Sequence, residues 1–144
     1  MGGFPDTQTH GIPQFLYYVL SHEIGVTNPD DMWGRPDGPL WPANNPTTLI
    51  PSLKNQGISL YMSAGTGLNG AYDAPLGFGG LSAEFVGAIL EVVANYSSQS
   101  FNISAVNRGL PVTLDLLNPG IHSWPYWNIQ MKQSWPQIAA AIGA

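Results

Sequence analysis

The sequence predicts an α/β fold in which the strands of a parallel sheet alternate with helices. Three observations lead there: two short runs rich in strand formers, three longer segments with apolar residues at helical spacing, and the order helix, strand, helix, strand, helix. The connection between the two strands is long enough for a crossover, which favours parallel pairing over an all-α or all-β arrangement.

The first helix is expected from about Pro13 to Ile24, where a proline suited to the first turn precedes apolar residues at helical spacing. Between Gly25 and Pro51 lie six prolines with repeated Asn and Asp, which is turn chemistry, and Trp33 and Trp41 are embedded as anchors. That stretch reads as a long ordered loop, a kind of segment that usually carries function. Gly57 to Ser63 alternates like a strand and runs into Ala64-Gly65-Thr66-Gly67, where glycine lets the backbone turn sharply. Ser82 to Tyr96 reads as a helix with Ser82 as N-cap and Phe85, Ile89, Val92, Val93 and Tyr96 along one stripe. Pro111 to Leu117 is the second strand, and after Asn118-Pro119-Gly120 a terminal amphipathic helix is expected from Pro125 to Ile142. No internal repeat and no low-complexity tract interrupts the pattern.

A chain of 144 residues is long enough to bury roughly two-thirds of its unfolded surface in one domain. Charged residues make up 9% of it, against about 25% in an average protein, while 44% is apolar. Five Trp, six Tyr and five Phe argue for a packed core over disorder. The net charge is −5, and Lys54, Lys132, Arg35 and Arg108 are all the cations available to meet a phosphate backbone. Nucleic acid and anionic membranes are therefore disfavoured as partners, because both affinities rest on positive charge. No apolar run approaches the roughly 20 residues of a transmembrane segment, and Met1 to Asp6 lacks the basic and apolar regions of a signal peptide. With no cysteine the chain forms neither disulfides nor thiolate metal sites.

Two residues stand out as candidates for chemistry. His122 follows a predicted strand and precedes Ser123-Trp124-Pro125-Tyr126-Trp127 at the start of a helix, so it belongs at the carboxyl end of the sheet, where open α/β folds bind ligands. The plain alternative is a surface histidine near a helix N-terminus. The aromatics beside it supply apolar walls and stacking faces of the kind a pocket needs. Glu91 lies on a predicted helix between Leu90 and Val92. Pattern alone makes it a solvated face residue; the alternative is the acid of a triad, orienting a histidine.

His122-Ser123-Trp124-Pro125-Tyr126-Trp127, preceded by Asn118-Pro119-Gly120, resembles the histidine segment of the antigen 85-type mycolyltransferases and their corynebacterial relatives. Upstream, Asp31-Met32-Trp33-Gly34 with Trp41 and Asn45-Pro46 is similar to that family's Asp-Met-Trp-Gly loop and what trails it. Ile58 to Gly67 is similar to its strand ending in a Gly-x-Gly turn, and Leu90-Glu91 stands before His122 at close to the family's spacing. The resemblance runs from about Phe4 onward and implies the C-terminal part of an α/β-hydrolase, as one partial domain over residues 1–144. It further implies a secreted, cell-envelope esterase or acyltransferase that moves mycolic acyl chains to trehalose or arabinogalactan through an acyl-enzyme on serine. Glu91 would orient and His122 would transfer the proton, in the chain order serine, acid, histidine, while Ser123 and Trp124 would line the trehalose site. Trehalose mycolates or related glycolipids are the implied substrates, with neither a cofactor nor a metal.

A triad also needs a serine on a Gly-x-Ser-x-Gly elbow between strand and helix. No serine here has that setting. Gly80-Leu81-Ser82-Ala83-Glu84 lacks the second glycine and reads better as an N-cap, and Ser63 has Tyr61 where the first glycine belongs. By the resemblance, the elbow lies upstream of the region that Met1 to Pro5 matches, so the chain is expected to start mid-domain and to transfer no acyl group by itself. A half sheet would leave an edge open to its missing N-terminal half or to self-association. The competing expectation is a non-catalytic member of the same fold that binds carbohydrate or a host protein through its Trp-rich loops. A metal hydrolase drawing on His10, His22 and His122 is disfavoured, because His22-Glu23 lacks the His-Glu-x-x-His spacing.

Overall fold

Two four-residue strands, β1 (Leu60–Ser63) and β2 (Val112–Asp115), lie side by side and parallel, Leu60 opposite Val112 and Ser63 opposite Asp115. The computed structural model describes residues 3–74, 82–116 and 118–144, and within them the fold is mixed: helices around this small parallel sheet, compatible with part of an α/β architecture. Both strands are shorter than their sequence runs. Gly57 turns at φ 65°, in the left-handed region, which breaks the extended run before β1. Pro111 brings no N–H to a ladder, and Leu117 lies outside the described residues, as do Met1 and Gly2. Among the described residues each strand has a single partner, so the outer edges of the pair are free.

Helix α1 (Ile12–His22) matches the first predicted helix, entered through Gly11 at φ 85°. The stretch from Gly25 to Pro51, expected as a loop, is instead broken into helical turns: α2 (Asp30–Trp33), α3 (Leu40–Ala43), a 3₁₀ turn (Pro46–Leu49) and the start of α4 (Ile50–Asn55). Its prolines permit this, since their fixed φ suits first helical turns as well as loops. Trp41 is the anchor, fully buried, edge-on to Trp33 and donating Nε1–H to the Gly34 carbonyl at 3.1 Å.

Helix α5 (Ala83–Asn107) joins β1 to β2 and is capped as expected, the Ser82 hydroxyl accepting from Phe85 N–H at 3.2 Å. It runs eleven residues beyond Tyr96 because the polar Ser97-Ser98-Gln99-Ser100 segment is given tertiary partners that override its weak helix propensity. The face it buries is also unexpected. Phe85, Ile89, Val92 and Tyr96 are exposed, while Gly87, Ala88, Glu91, Ala94, Ser97 and Ser98 turn inward. Small side chains let the helix come close to the strand-end loops: a Cβ on Gly87 would sit 3.3 Å from Ile121 Cδ1. Helix α6 (Trp124–Ile142) closes the chain and is tied to β1 by Gln137, whose amide donates to the Leu60 carbonyl at 3.0 Å.

The main core is Ile50, Phe101, Ala105 and Leu110, with Leu60, Met62 and Val112 of the sheet packed against it. Phe101 is 2% exposed, so Phe101→Ala is expected to cost about 3–5 kcal/mol of folding stability. Chemical denaturation measures this, and a loss under about 1 kcal/mol would show that the cluster is not the core.

A buried aspartate fastens the N-terminal segment to α5. Asp6 accepts from Ser100 Oγ (2.6 Å), Thr9 Oγ1, Gln8 N–H (3.1 Å) and Asn45 Nδ2 (3.1 Å), while its own backbone exchanges two hydrogen bonds with Ser97 Oγ. Burial raises the pKa of this carboxyl, but the bonds from Ser100, Thr9, Gln8 and Asn45 together outweigh it and leave it below 3.8, the ordinary aspartate value. The unfolded chain therefore takes up the proton first as pH falls. The contribution of Asp6 is complete above about pH 4 and is lost as pH drops toward its folded pKa. Melting temperature against pH should fall more steeply below pH 4 for the native chain than for Asp6→Asn; parallel curves would refute this.

Candidate active site

Three segments meet beyond the carboxyl ends of the strands: the loop after β1, the middle of α5 and the loop after β2. Gly65 is where they touch. Its N–H donates to Glu91 Oε1 and its carbonyl accepts from Asn95 Nδ2 at 2.8 Å. A Cβ at Gly65 would stand 2.5 Å from the Gly120 carbonyl oxygen and 3.2 Å from Glu91 Cγ, so the glycine is required by close approach. The two loops are also bonded directly, Thr66 N–H to Asn118 O (3.0 Å), Gly67 N–H to Gly120 O (3.0 Å) and Gly120 N–H to Leu68 O (2.8 Å).

This framework brings Glu91 and His122 together. His122 Nδ1 lies 2.8 Å from Glu91 Oε2, and the histidine N–H of the backbone donates to Gly87 O at 3.1 Å. The Glu91 side chain is 1% exposed and that of His122 is 18% exposed. Pattern alone made Glu91 a solvated face residue, and its burial overturns that: the loops close over the helix face that carries it. A carboxyl bonded to Nδ1 fixes the tautomer with Nδ1 as donor and leaves Nε2 to accept a proton; among the described residues Nε2 has no hydrogen-bond partner. The Trp127 ring stands edge-on to the imidazole with centroids 4.8 Å apart.

His122 also forms part of the wall of a cavity of about 590 Å³, lined by Leu16, Val19 and Leu20 of α1, Trp33, and Val86 and Leu90 of α5. The Asp-Met-Trp-Gly segment thus contributes a wall to the histidine's cavity. Ser123 and Trp124, the expected sugar contacts, differ in setting. The Ser123 hydroxyl is buried at the N-cap of α6 with no partner among the described residues, whereas Trp124 is 71% exposed and packs edge-on to Trp127. Ser82 is engaged as the cap of α5; Gly80 and Leu81, the first half of the nearest elbow match, lie outside the described residues. His22 stacks on Tyr18 with its Nδ1 on the Tyr18 carbonyl, and among the described residues no three His, Asp or Glu side chains gather as metal ligands.

Sequence reasoning missed Asn95 as a support. Its amide bonds Gly65 O and Leu116 O, joining the ends of both strands to α5. The available signal was its spacing, one turn after Glu91 on the same helix face.

A carboxyl bonded to an imidazole can orient a histidine for proton transfer, and this chain holds such a pair beyond the ends of its two parallel strands. No family model matches it. Its relatives are more specific, for over most of its length the chain is antigen 85-like. It is 29% identical over 138 residues to the diacylglycerol acyltransferase/mycolyltransferase Ag85B of Mycobacterium intracellulare, covering 94% of this chain and 39% of that one. It is 31% identical over 123 residues to the Ag85C protein of Mycobacterium leprae, covering 83% and 34%, and 25% identical over 122 residues to Ag85A of Mycobacterium tuberculosis, covering 85% and 34%. The chain therefore spans between a third and two-fifths of the length of these curated relatives.

Proposed function

We propose that this chain is the C-terminal, acid–base part of an α/β-hydrolase-type serine acyltransferase or esterase. The reading rests first on the buried Glu91–His122 pair at 2.8 Å. Glu91 orients the imidazole, and His122 Nε2 takes the proton of a serine supplied by a segment outside this sequence. The same nitrogen then returns a proton to the leaving sugar, or deprotonates the incoming sugar hydroxyl. The apolar cavity beside His122 suits an acyl chain, and the exposed Trp124 ring offers a stacking surface for trehalose next to Ser123, whose hydroxyl is buried. By likeness to the mycolyltransferases the acyl group is mycolic, the donor a trehalose mycolate or related glycolipid, and the setting secreted or at the cell envelope. Among the described residues no helix is long and apolar enough to cross a membrane.

The free edge of β1 supports a split sheet. A cavity of about 570 Å³ runs beside Ser59 to Ser63, walled by Phe4 and by Met131 and Ser134 of α6. A further strand entering there would pair the edge and bring a nucleophile toward His122. The test is acyl transfer to trehalose by this chain alone and by the chain joined to its preceding coding segment. Activity in the longer form only is expected. A second reading, a sugar- or protein-binding member of the same fold, draws on the absence of any Gly-x-Ser-x-Gly in these 144 residues; a folded longer form that binds trehalose without turnover would replace the first reading with it.

A further inference from the structure

We propose that Tyr126 and Asp73 form a latch that positions His122, a role that rests on reading His122 as the proton-transferring group. Tyr126 sits in the first turn of α6, 8% exposed and four residues beyond the histidine. Its hydroxyl donates to Asp73 Oδ2 at 2.8 Å and accepts from Tyr72 N–H at 3.1 Å, while the same carboxylate oxygen accepts from Gly70 N–H at 2.8 Å. One phenol thus ties the start of α6 to the turn that follows β1.

The backbone between these points has no slack. The Tyr126 ring lies against Gly120, where a Cβ would stand 2.7 Å from the ring, and a Cβ at Gly70 would collide with the phenol oxygen. Gly120 adopts φ 149° and is bonded on both sides to the loop after β1, through Gly67 N–H and Leu68 O. His122 follows two residues later. It is therefore held from two directions: α5 grips it through Gly87 O and Glu91, and the latch fixes the backbone from which its side chain extends. With the hydroxyl removed, Asp73 keeps Gly70 N–H but the loop loses its side-chain link to α6. The imidazole is then free to leave Glu91 Oε2 without any change in Glu91 itself.

A purely structural tyrosine would change the melting temperature alone. A positioning one changes the state of the histidine, so the measurement is proton and nitrogen NMR of the whole chain with labelled histidine. The downfield Nδ1 proton of His122 is assigned by its loss in Glu91→Gln. Tyr126→Phe and Asp73→Ala are each expected to shift or broaden that resonance, the double variant no further than either single one, because members of one network are not additive. Asp73→Asn, which keeps an acceptor oxygen, should restore it in part. Asp73 is half-buried at the surface, so its variants test the latch even if Tyr126→Phe unfolds the chain. An unchanged His122 resonance in the Asp73 variants overturns the latch and leaves the Glu91–His122 pair standing. A native spectrum with no Glu91-dependent imidazole proton overturns the pair, and the latch with it.

Discussion

The proposed acyltransferase function predicts that, in a longer form carrying a nucleophile, Glu91→Gln lowers the rate of acyl transfer to trehalose by on the order of 10⁴-fold, and His122→Ala by at least as much. The carboxyl is 1% exposed and bonds both Gly65 N–H and the imidazole. An amide in its place can turn a donor toward Nδ1, which reverses the tautomer and moves the accepting nitrogen away from the reaction. The double variant should be no slower than His122→Ala, since the two residues act as a unit. Steady-state kinetics of the three variants decides it: a Glu91→Gln enzyme within tenfold of the native rate would mean that the carboxyl does not orient the base.

Gly65→Ala should have the second-largest effect. The added methyl would lie 2.5 Å from the Gly120 carbonyl, a backbone atom that cannot rotate away. The two loops must separate there, which carries Gly120 and the following histidine away from α5. Displacements of about 1 Å at a catalytic group cost about 10²-fold in rate, so a loss of that order is expected with the fold retained, followed by transfer kinetics and circular dichroism. An active Gly65→Ala variant would show that the loops meet less tightly than described.

The type and order of the major elements were legible because α1, α5, α6 and the strands each carry a clear period and a capping or breaking residue. Ser82 as the cap of α5 is the clearest case. What could not be read locally were features decided by partners distant in sequence. The expected helix ends at Tyr96 with its apolar stripe, whereas α5 continues through the serines beyond it, where Asp6, over ninety residues away, accepts from Ser100. Likewise Glu91 looks solvated from its neighbours on the helix, and its burial comes from Gly65 and His122, which fold over it from both strand ends. The prolines of residues 25 to 51 were read as loop formers, although proline opens short helices equally well. The histidine was easier to place, since the loop position and the aromatic residues around it are adjacent in sequence.

The burial of Glu91 constrains how such a site can decay. A lineage that first loses the histidine keeps a carboxyl shut away from water, with the Gly65 N–H as its remaining partner among the described residues, and each such chain is penalised in folding. Loss of the acid first leaves an imidazole that is partly exposed, which water can serve. Descendants that abandoned catalysis are thus expected to keep the histidine after the glutamate has gone, so the order of substitution is written into which of the two side chains the fold seals.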